Sequence, residues 1–349
     1  MISHSASTNQ PGQPPMITAN SRSAQPKSWQ MLWRESVRDP RELLKMLDLM
    51  HLAGQISDQA AAQFPLRVPT GFVAKMRRGD SQDPLLRQVL PILDEDQLAE
   101  GFSLDAVGDA AARGGTGVIH KYRGRALLIT TGSCAIHCRY CFRRHFPYAG
   151  ETAASQHWSE AIAYLKSDTS ISELILSGGD PLSLSTDKLK ELTDALTKLP
   201  HIKRLRIHTR LPVVLPERVD DEFLTWLGNL IWPVVVVIHA NHTNELTDDV
   251  ADAVNKLRNS RVTVLNQAVL LKGVNDNVHA QIGLSERLFE IGALPYYLHQ
   301  LDKVQGAAHF QIDDQWAREI HQSMMGVLPG YLVPKLVREI AGEASKTPL

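Results

Sequence analysis

Eight residues, CAIHCRYC, hold three cysteines: Cys134, Cys138 and Cys141, in a C-x3-C-x2-C spacing. The chain has no other cysteine. A closed zinc site wants four protein ligands, and a [4Fe-4S] cluster is ordinarily held by four thiolates. Three thiolates on one short loop can wrap a four-iron cluster and leave one iron open to an outside ligand. Such an iron gives access to one-electron radical chemistry that no side chain performs alone. Tyr140, just before the third cysteine, is placed to cover the cluster. Two other readings stand beside this one. His137 or His145 would complete a Cys3His zinc site, although the usual close pair plus distant pair is missing. Alternatively, the thiols are simply buried. An odd count of close thiols suits a reducing compartment and does not make a disulfide framework.

The elements that must carry this loop follow a repeat. Short apolar runs begin near Arg125 (RALLITT), Glu173 (ELILSGG), Lys203 (KRLRIHTR), Val234 (VVVVIHAN), Thr263 (TVLNQAVLL) and Leu294 (LPYYLHQL). Helical patterns separate them, and DDQWAREIHQSMMGVL follows the last. A period of about thirty residues is the size of one βα unit, and alternating strand and helix implies a parallel sheet. Six units fit an open barrel or a doubly wound sheet, and are too few for a closed eight-stranded barrel. In either architecture the site lies at the carboxyl ends of the strands. Polar residues gather there: the cysteine loop, then Ser177-Gly178-Gly179-Asp180 in SGGDPL, then His208, Thr209 and Arg210. His239, Asn241 and His242 follow, then Asn266 and Gln267, then Gln300, Asp302 and Lys303. The paired glycines of SGGDPL allow the backbone to approach a ligand closely.

Before the repeat, residues 29 to about 93 carry helical patterns, with Asp39-Pro40 and Asp83-Pro84 as helix starts. Residues 1–28, rich in Ser, Gln, Pro and Asn, read as a disordered leader. The 349 residues contain 37 Lys plus Arg and 38 Asp plus Glu, a net charge of -1. That balance supplies no bulk field for nucleic acid or an acidic membrane. No apolar run approaches the ~18 residues of a membrane span, and the leader lacks the apolar segment of a secretory signal. The chain reads as cytoplasmic, with oligomerisation left open.

The cysteine spacing after a first strand, with SGGDPL after the second, resembles the radical S-adenosylmethionine (SAM) superfamily. There SAM chelates the open iron and yields a 5′-deoxyadenosyl radical, and the SGGD loop, Ser177 to Asp180, meets its methionyl group. A closer resemblance rests on CRYCFRRHF, SGGDPLSLS, TRLPVVLPERV, HANHTNELT, LNQAVLLKGVNDN, PYYLHQLDKVQGAAHF and KTPL. They occur in the order seen in lysine 2,3-aminomutases, from about Phe64 to the C-terminus. The resemblance implies an α/β fold, an open partial (β/α)6 barrel like an incomplete TIM barrel. Its parts are the leader (1–28), an N-terminal helical region (29–110), the barrel (111–330) and a C-terminal segment (331–349).

It also implies an isomerase that converts (S)-α-lysine to (R)-β-lysine with a [4Fe-4S] cluster, SAM and pyridoxal 5′-phosphate (PLP), through a PLP aldimine. Cys134, Cys138 and Cys141 match the cluster ligands. Lys346 matches the lysine that holds PLP as a Schiff base; by position alone it would be a solvated tail residue. Tyr122 and Arg125 match PLP phosphate contacts, and Lys121 stands where longer relatives have arginine, keeping charge and losing a bidentate fork. His239 and Gln267 match residues lining the SAM site. Arg143 matches the partner of the substrate carboxylate. Asp302 and Glu339 match the two carboxylates that hold the distal ammonium, with Glu339 replacing aspartate. The expected partners are L-lysine and an electron donor of flavodoxin or ferredoxin type. The chain stops three residues after Lys346, which resembles the short bacterial branch that supplies β-lysine to elongation factor P through its lysyl ligase. Free β-amino acid synthesis, or an iron–sulfur or zinc protein without turnover, are the alternatives.

Overall fold

A computed structural model describes residues 27–156 and 158–349. Residues 1–26, nearly all of the expected leader, and His157 lie outside it. Five short helices come first: α1 (Trp29–Arg34), α2 (Pro40–Met46), α3 (Asp58–Gln63), α4 (Thr70–Val73) and α5 (Pro84–Arg87). Their starts follow from local chemistry. Asp39 and Asp83 accept backbone N–H groups of the first turn, and the following Pro40 and Pro84 have no N–H to satisfy. The long helical patterns are broken early. Asp48 turns into the left-handed region at φ 58°, so α2 gives way to a 3-10 turn at Met50–Gln55. Helix α5 ends ahead of Pro91.

The sheet has ten strands paired in chain order: β1 (Arg113–Gly115), β2 (Val118–Tyr122), β3 (Arg125–Thr131), β4 (Glu173–Gly178), β5 (Arg204–Thr209), β6 (Val234–Ile238), β7 (Thr263–Leu270), β8 (Leu294–Gln300), β9 (Lys335–Arg338) and β10 (Thr347–Pro348). Strands β3 to β9 are parallel, while β1, β2 and β10 run antiparallel at the two edges. β1 and β10 do not pair with each other, so the barrel is open. The six apolar runs are β3 to β8. The short β1–β2 hairpin, β9 and β10 have no comparable pattern and extend the sheet beyond six strands.

Helices α6 (Ser159–Ser167), α7 (Thr186–Leu196), α8 (Leu211–Val214), α9 (Asp221–Gly228), α10 (Asp248–Asn259), α11 (Val278–Ile291) and α12 (Asp314–Val327) connect the parallel strands. Each long one buries a single stripe. In α10 this is Val250, Ala253, Val254 and Leu257, spaced i, i+3, i+4, i+7. In α7 it is Leu189, Leu192, Thr193 and Leu196. These stripes cover the outer face of the sheet in one continuous core, which also takes in Leu43, Phe72 and Leu85 of the first helices. Among the described residues no helix is long and apolar enough to cross a membrane.

Candidate active site

A cavity of about 390 Å³ opens inside the barrel. That is far more room than one water requires. All three cysteines line it, as do Lys121, Tyr122, Arg125, Arg143, Ser177, Gly178, Gly179, Asp180, His239, Gln267, Asp302, Glu339 and Lys346. Every residue that the family resemblance singled out as a site residue therefore lines the same space.

The cysteine loop follows β3 and is held from behind. Buried Glu95 takes Arg139 through two contacts, Nε to Oε1 at 2.8 Å and Nη2 to Oε2 at 2.6 Å, and takes Arg144 Nη2 at 2.7 Å. Arg210 donates from Nη1 to the Cys138 sulfur at 2.6 Å and from Nη2 to Glu245 and Gln88 at 2.8 and 2.7 Å. Burial, then Asp180 and the other two thiols, pushes the Cys134 thiol well up; burial, then Cys138, pushes Cys141 up to about 11. Thiols in that state need a metal's positive charge to become thiolates. Among the described residues the three do not gather around a point that one ion could fill. Neither histidine of the zinc reading lines the cavity with the three cysteines. His137 stacks on Phe64 at 4.8 Å and donates from Nδ1 to the Pro65 carbonyl at 2.6 Å. His145 donates from Nε2 to the Gln305 carbonyl at 3.1 Å.

The SGGD stretch seats this loop. Gly178 has φ +116° and runs so close to β3 that a Cβ would lie 2.7 Å from the Thr131 carbonyl oxygen. A Cβ on Gly179 would lie 2.5 Å from the Ser133 oxygen. The close approach these glycines permit is to the backbone leading into Cys134, an approach sealed by Gly179 N–H to Thr131 O at 2.7 Å and Asp180 N–H to Ser133 O at 2.8 Å. Asp180 accepts from Thr209 Oγ1 and the N–H groups of Leu182, Arg210 and Leu211. Its lone pairs are committed to fixing β4 against β5. Burial nevertheless raises its carboxyl to about 6. Gln267 donates to His239 Nε2 at 3.1 Å, which leaves the ring proton on Nδ1. Burial, then Arg210, depresses His239 to about 3, so the ring is neutral.

Not every polar strand end faces the cavity. Asn266 bonds both backbone groups of Ala240, His242 caps Asn244, and Gln300 holds Ile312 and Asp314. These side chains close the edges between neighbouring units, as a polar residue at a strand end must when its backbone is buried.

At the far wall sit the charged groups. Lys346 Nζ donates to Glu339 Oε2 at 2.7 Å, because β10 folds back on β9 and carries the chain end inward. Lys121 Nζ reaches Glu339 Oε1 at 3.3 Å, and the Tyr122 hydroxyl also donates to Glu339. Burial alone would raise Glu339; Lys346, Lys121 and Tyr122 together hold it down at about 2. Arg125 lies over the Tyr122 ring at 4.5 Å. Asp302 differs. No hydrogen-bond donor or salt-bridge partner reaches its carboxylate among the described residues, and burial, outweighing the pull of Lys346, raises it to about 7. Arg143 donates from Nε to Asp109 Oδ2 at 2.7 Å and from Nη1 to Ser177 Oγ at 3.3 Å.

Four lining residues, Asp109, His208, Arg210 and His299, keep a buried side-chain atom without a hydrogen-bond partner among the described residues. The Nε2 atoms of His208 and His299 are buried and have no hydrogen-bond partner among the described residues. Burial comes first in driving both rings far below the ordinary histidine range, so both are neutral. Unpartnered buried polar atoms in residues that line a cavity fit a polar ligand, as do the cations around it. His208 was within reach of the strand-end pattern. His299, inside β8, and Asp109, in a loop before β1, carry no spacing signal.

Residues 128–280 match the family described as the Radical SAM superfamily. The chain is 45% identical over 335 residues to the L-lysine 2,3-aminomutase of Escherichia coli (strain K12), covering 96% of this chain and 97% of that one. It is 47% identical to that of Haemophilus influenzae over 321 residues, 92% of this chain and 95% of the relative. To the L-lysine 2,3-aminomutase of Clostridium subterminale it is 32% identical, over 92% of this chain and 77% of the relative.

Proposed function

This chain belongs to the lysine 2,3-aminomutase family of the radical SAM superfamily, and we propose that it converts (S)-α-lysine to (R)-β-lysine with the help of pyridoxal phosphate. It is an isomerase that uses a [4Fe-4S] cluster and SAM. The observation that carries the lysine reading is one cavity holding three thiols, the Lys346 ammonium and the open Asp302 carboxylate. When bound, the cluster with SAM supplies hydrogen-atom abstraction and return, and pyridoxal phosphate supplies a carrier for the migrating nitrogen.

The chain's own residues supply the rest. Cys134, Cys138 and Cys141 would hold the cluster. Ser177, Gly178, Gly179 and Asp180 seat the cysteine loop, and with neutral His239 and Gln267 they line the SAM side. Lys121, Tyr122 and Arg125 would take the cofactor phosphate, and Lys346 its carbonyl end. To react as an amine, Lys346 must lose the Nζ proton it now directs at Glu339 Oε2. Arg143 would grip the substrate carboxylate by the edge of its fork. Asp302, joined by Glu339 once Lys346 is engaged, would take the distal ammonium. Fixing lysine at both ends leaves one C–H bond facing the reactive centre. We propose further that the β-lysine serves elongation factor P and its lysyl ligase, a role supported by the resemblance to the short bacterial branch.

The test is an anaerobically purified sample. It should hold about four irons and show pyridoxal absorbance that disappears in Lys346→Ala. Given lysine, SAM and a reductant, it should form β-lysine; zinc without iron would refute the reading. An unchanged mass of elongation factor P after deletion of this gene would remove the translation-factor role alone.

A further inference from the structure

Two side chains assigned to different anions are joined by a residue assigned to neither. Asp109 is 2% exposed. Its Oδ2 accepts from Arg143 Nε at 2.7 Å, and its Oδ1 stands 2.7 Å from Lys121 Nζ, an ion pair not aligned as a hydrogen bond. The loop that carries it is fixed on both sides. Its own N–H donates to Asp105 Oδ1 at 2.9 Å, and Gly108, at φ +70°, lies so close to the C-terminal segment that a Cβ would meet Ala341 Cβ at 2.9 Å.

A guanidinium has a side, Nε with one Nη, and an end, the two Nη groups. Asp109 occupies Nε. The end remains with one contact to Ser177 Oγ, at 3.3 Å, which a carboxylate acceptor would outcompete. Arg143 is itself 7% exposed. Without a counter-charge, a buried guanidinium would be costly in the empty cavity and free to turn. Resting on the assignment of Arg143 to the substrate carboxylate, we propose that Asp109 is the positioning residue that aims Arg143 at that carboxylate. Through Lys121 it also ties the carboxylate subsite to the cofactor's phosphate subsite. Asp109 touches no substrate atom; it sets the direction of the residue that does.

The experiment uses anaerobic holoenzyme without reductant, titrated with L-lysine or L-lysinamide while pyridoxal absorbance is followed. Lysinamide keeps both amines and lacks the carboxylate, so the wild-type protein should prefer lysine. In Asp109→Asn the lysine affinity should fall by about tenfold, the scale of one charge-assisted contact, while lysinamide affinity stays within about twofold. Asp109→Glu, which keeps the charge but displaces it by one methylene, should lose the same preference. A folded Asp109 variant that prefers lysine as strongly as wild type overturns the proposal. So does loss of iron and pyridoxal in both variants, since the residue would then serve the fold. If Arg143→Gln also keeps the preference, the assignment of Arg143 fails and takes the proposal with it. Loss in Arg143→Gln alone overturns only the role of Asp109.

Discussion

Asp302 carries a charge that the empty protein would do better without. Its carboxyl is raised to about 7, chiefly by burial, against about 3.9 in an unfolded chain. The folded state therefore favours the protonated form, and stability is lost as pH rises from the unfolded value through about 7. Asp302→Asn should melt higher than wild type at pH 8, with the gap closing toward pH 4, in thermal scans of cofactor-free protein. The same variant should lose lysine binding. In the wild type, lysine affinity should weaken as pH falls below about 7, because the ammonium then meets a neutral acid. A pH-independent lysine affinity would show that another group carries the ammonium. Glu339 is the natural candidate, being held ionised by Lys346 and Lys121. The two carboxylates are alike in sequence and opposite in state, and only their partners in space separate them.

Between elements, one tight tolerance is where the loop after β4 meets the loop after β3. Gly179 has no room for a methyl group, since a Cβ would sit 2.5 Å from Ser133 O and 2.8 Å from the Gly132 carbonyl carbon. Both contacts are backbone, which cannot swing aside as a side chain would. Gly179→Ala should push the cysteine loop off its seat and lower the iron content of anaerobically reconstituted protein several-fold. Far-UV circular dichroism should change little, because the strands β3 and β4 pair along their length below this point. Retention of full iron would mean that the loop relaxes without moving Cys134. Here the sequence was partly legible. SGGDPL stood out as a close-approach motif, but whether the partner was a ligand or the neighbouring backbone depended on the pairing of β3 with β4. The apolar strands β3 to β7 were readable because each is largely buried or alternates, as β7 does, while β8, half-buried in its first half and buried in its second, was readable from its apolar composition and the repeat. The hairpin β1–β2 carries no clear pattern because β1 is three residues with two glycines and β2 only five residues long, and β9 because four residues hold no period.

Across the whole molecule, the proposed cluster loop and the proposed Schiff-base lysine come from opposite ends of one open sheet, although the proposed phosphate contacts Lys121, Tyr122 and Arg125 share the edge of the cysteine loop. The cysteine loop leaves β3 beside one edge, and Lys346 sits immediately before β10 at the other. No local pattern marks Lys346, because its place in the cavity comes from the chain turning back after β9, and only resemblance to relatives singled it out. This arrangement makes the two centres separable. β10 pairs only through Thr347 with Arg338 and Pro348 with Val337, and Leu349 adds one backbone bond to Leu336 at 3.2 Å. Removing residues 346–349 should cost about 1–3 kcal/mol, the worth of a few hydrogen bonds and one partly buried leucine. It also frees Glu339 from its nearest cation. The truncated protein should bind its iron in full and show the cluster's reducible spectrum, yet carry no pyridoxal absorbance. Urea unfolding should show a midpoint lowered with the slope unchanged. If the truncation loses iron together with pyridoxal, the chain end closes the barrel around both centres, and the sheet cannot be treated as two edges that carry separate chemistry.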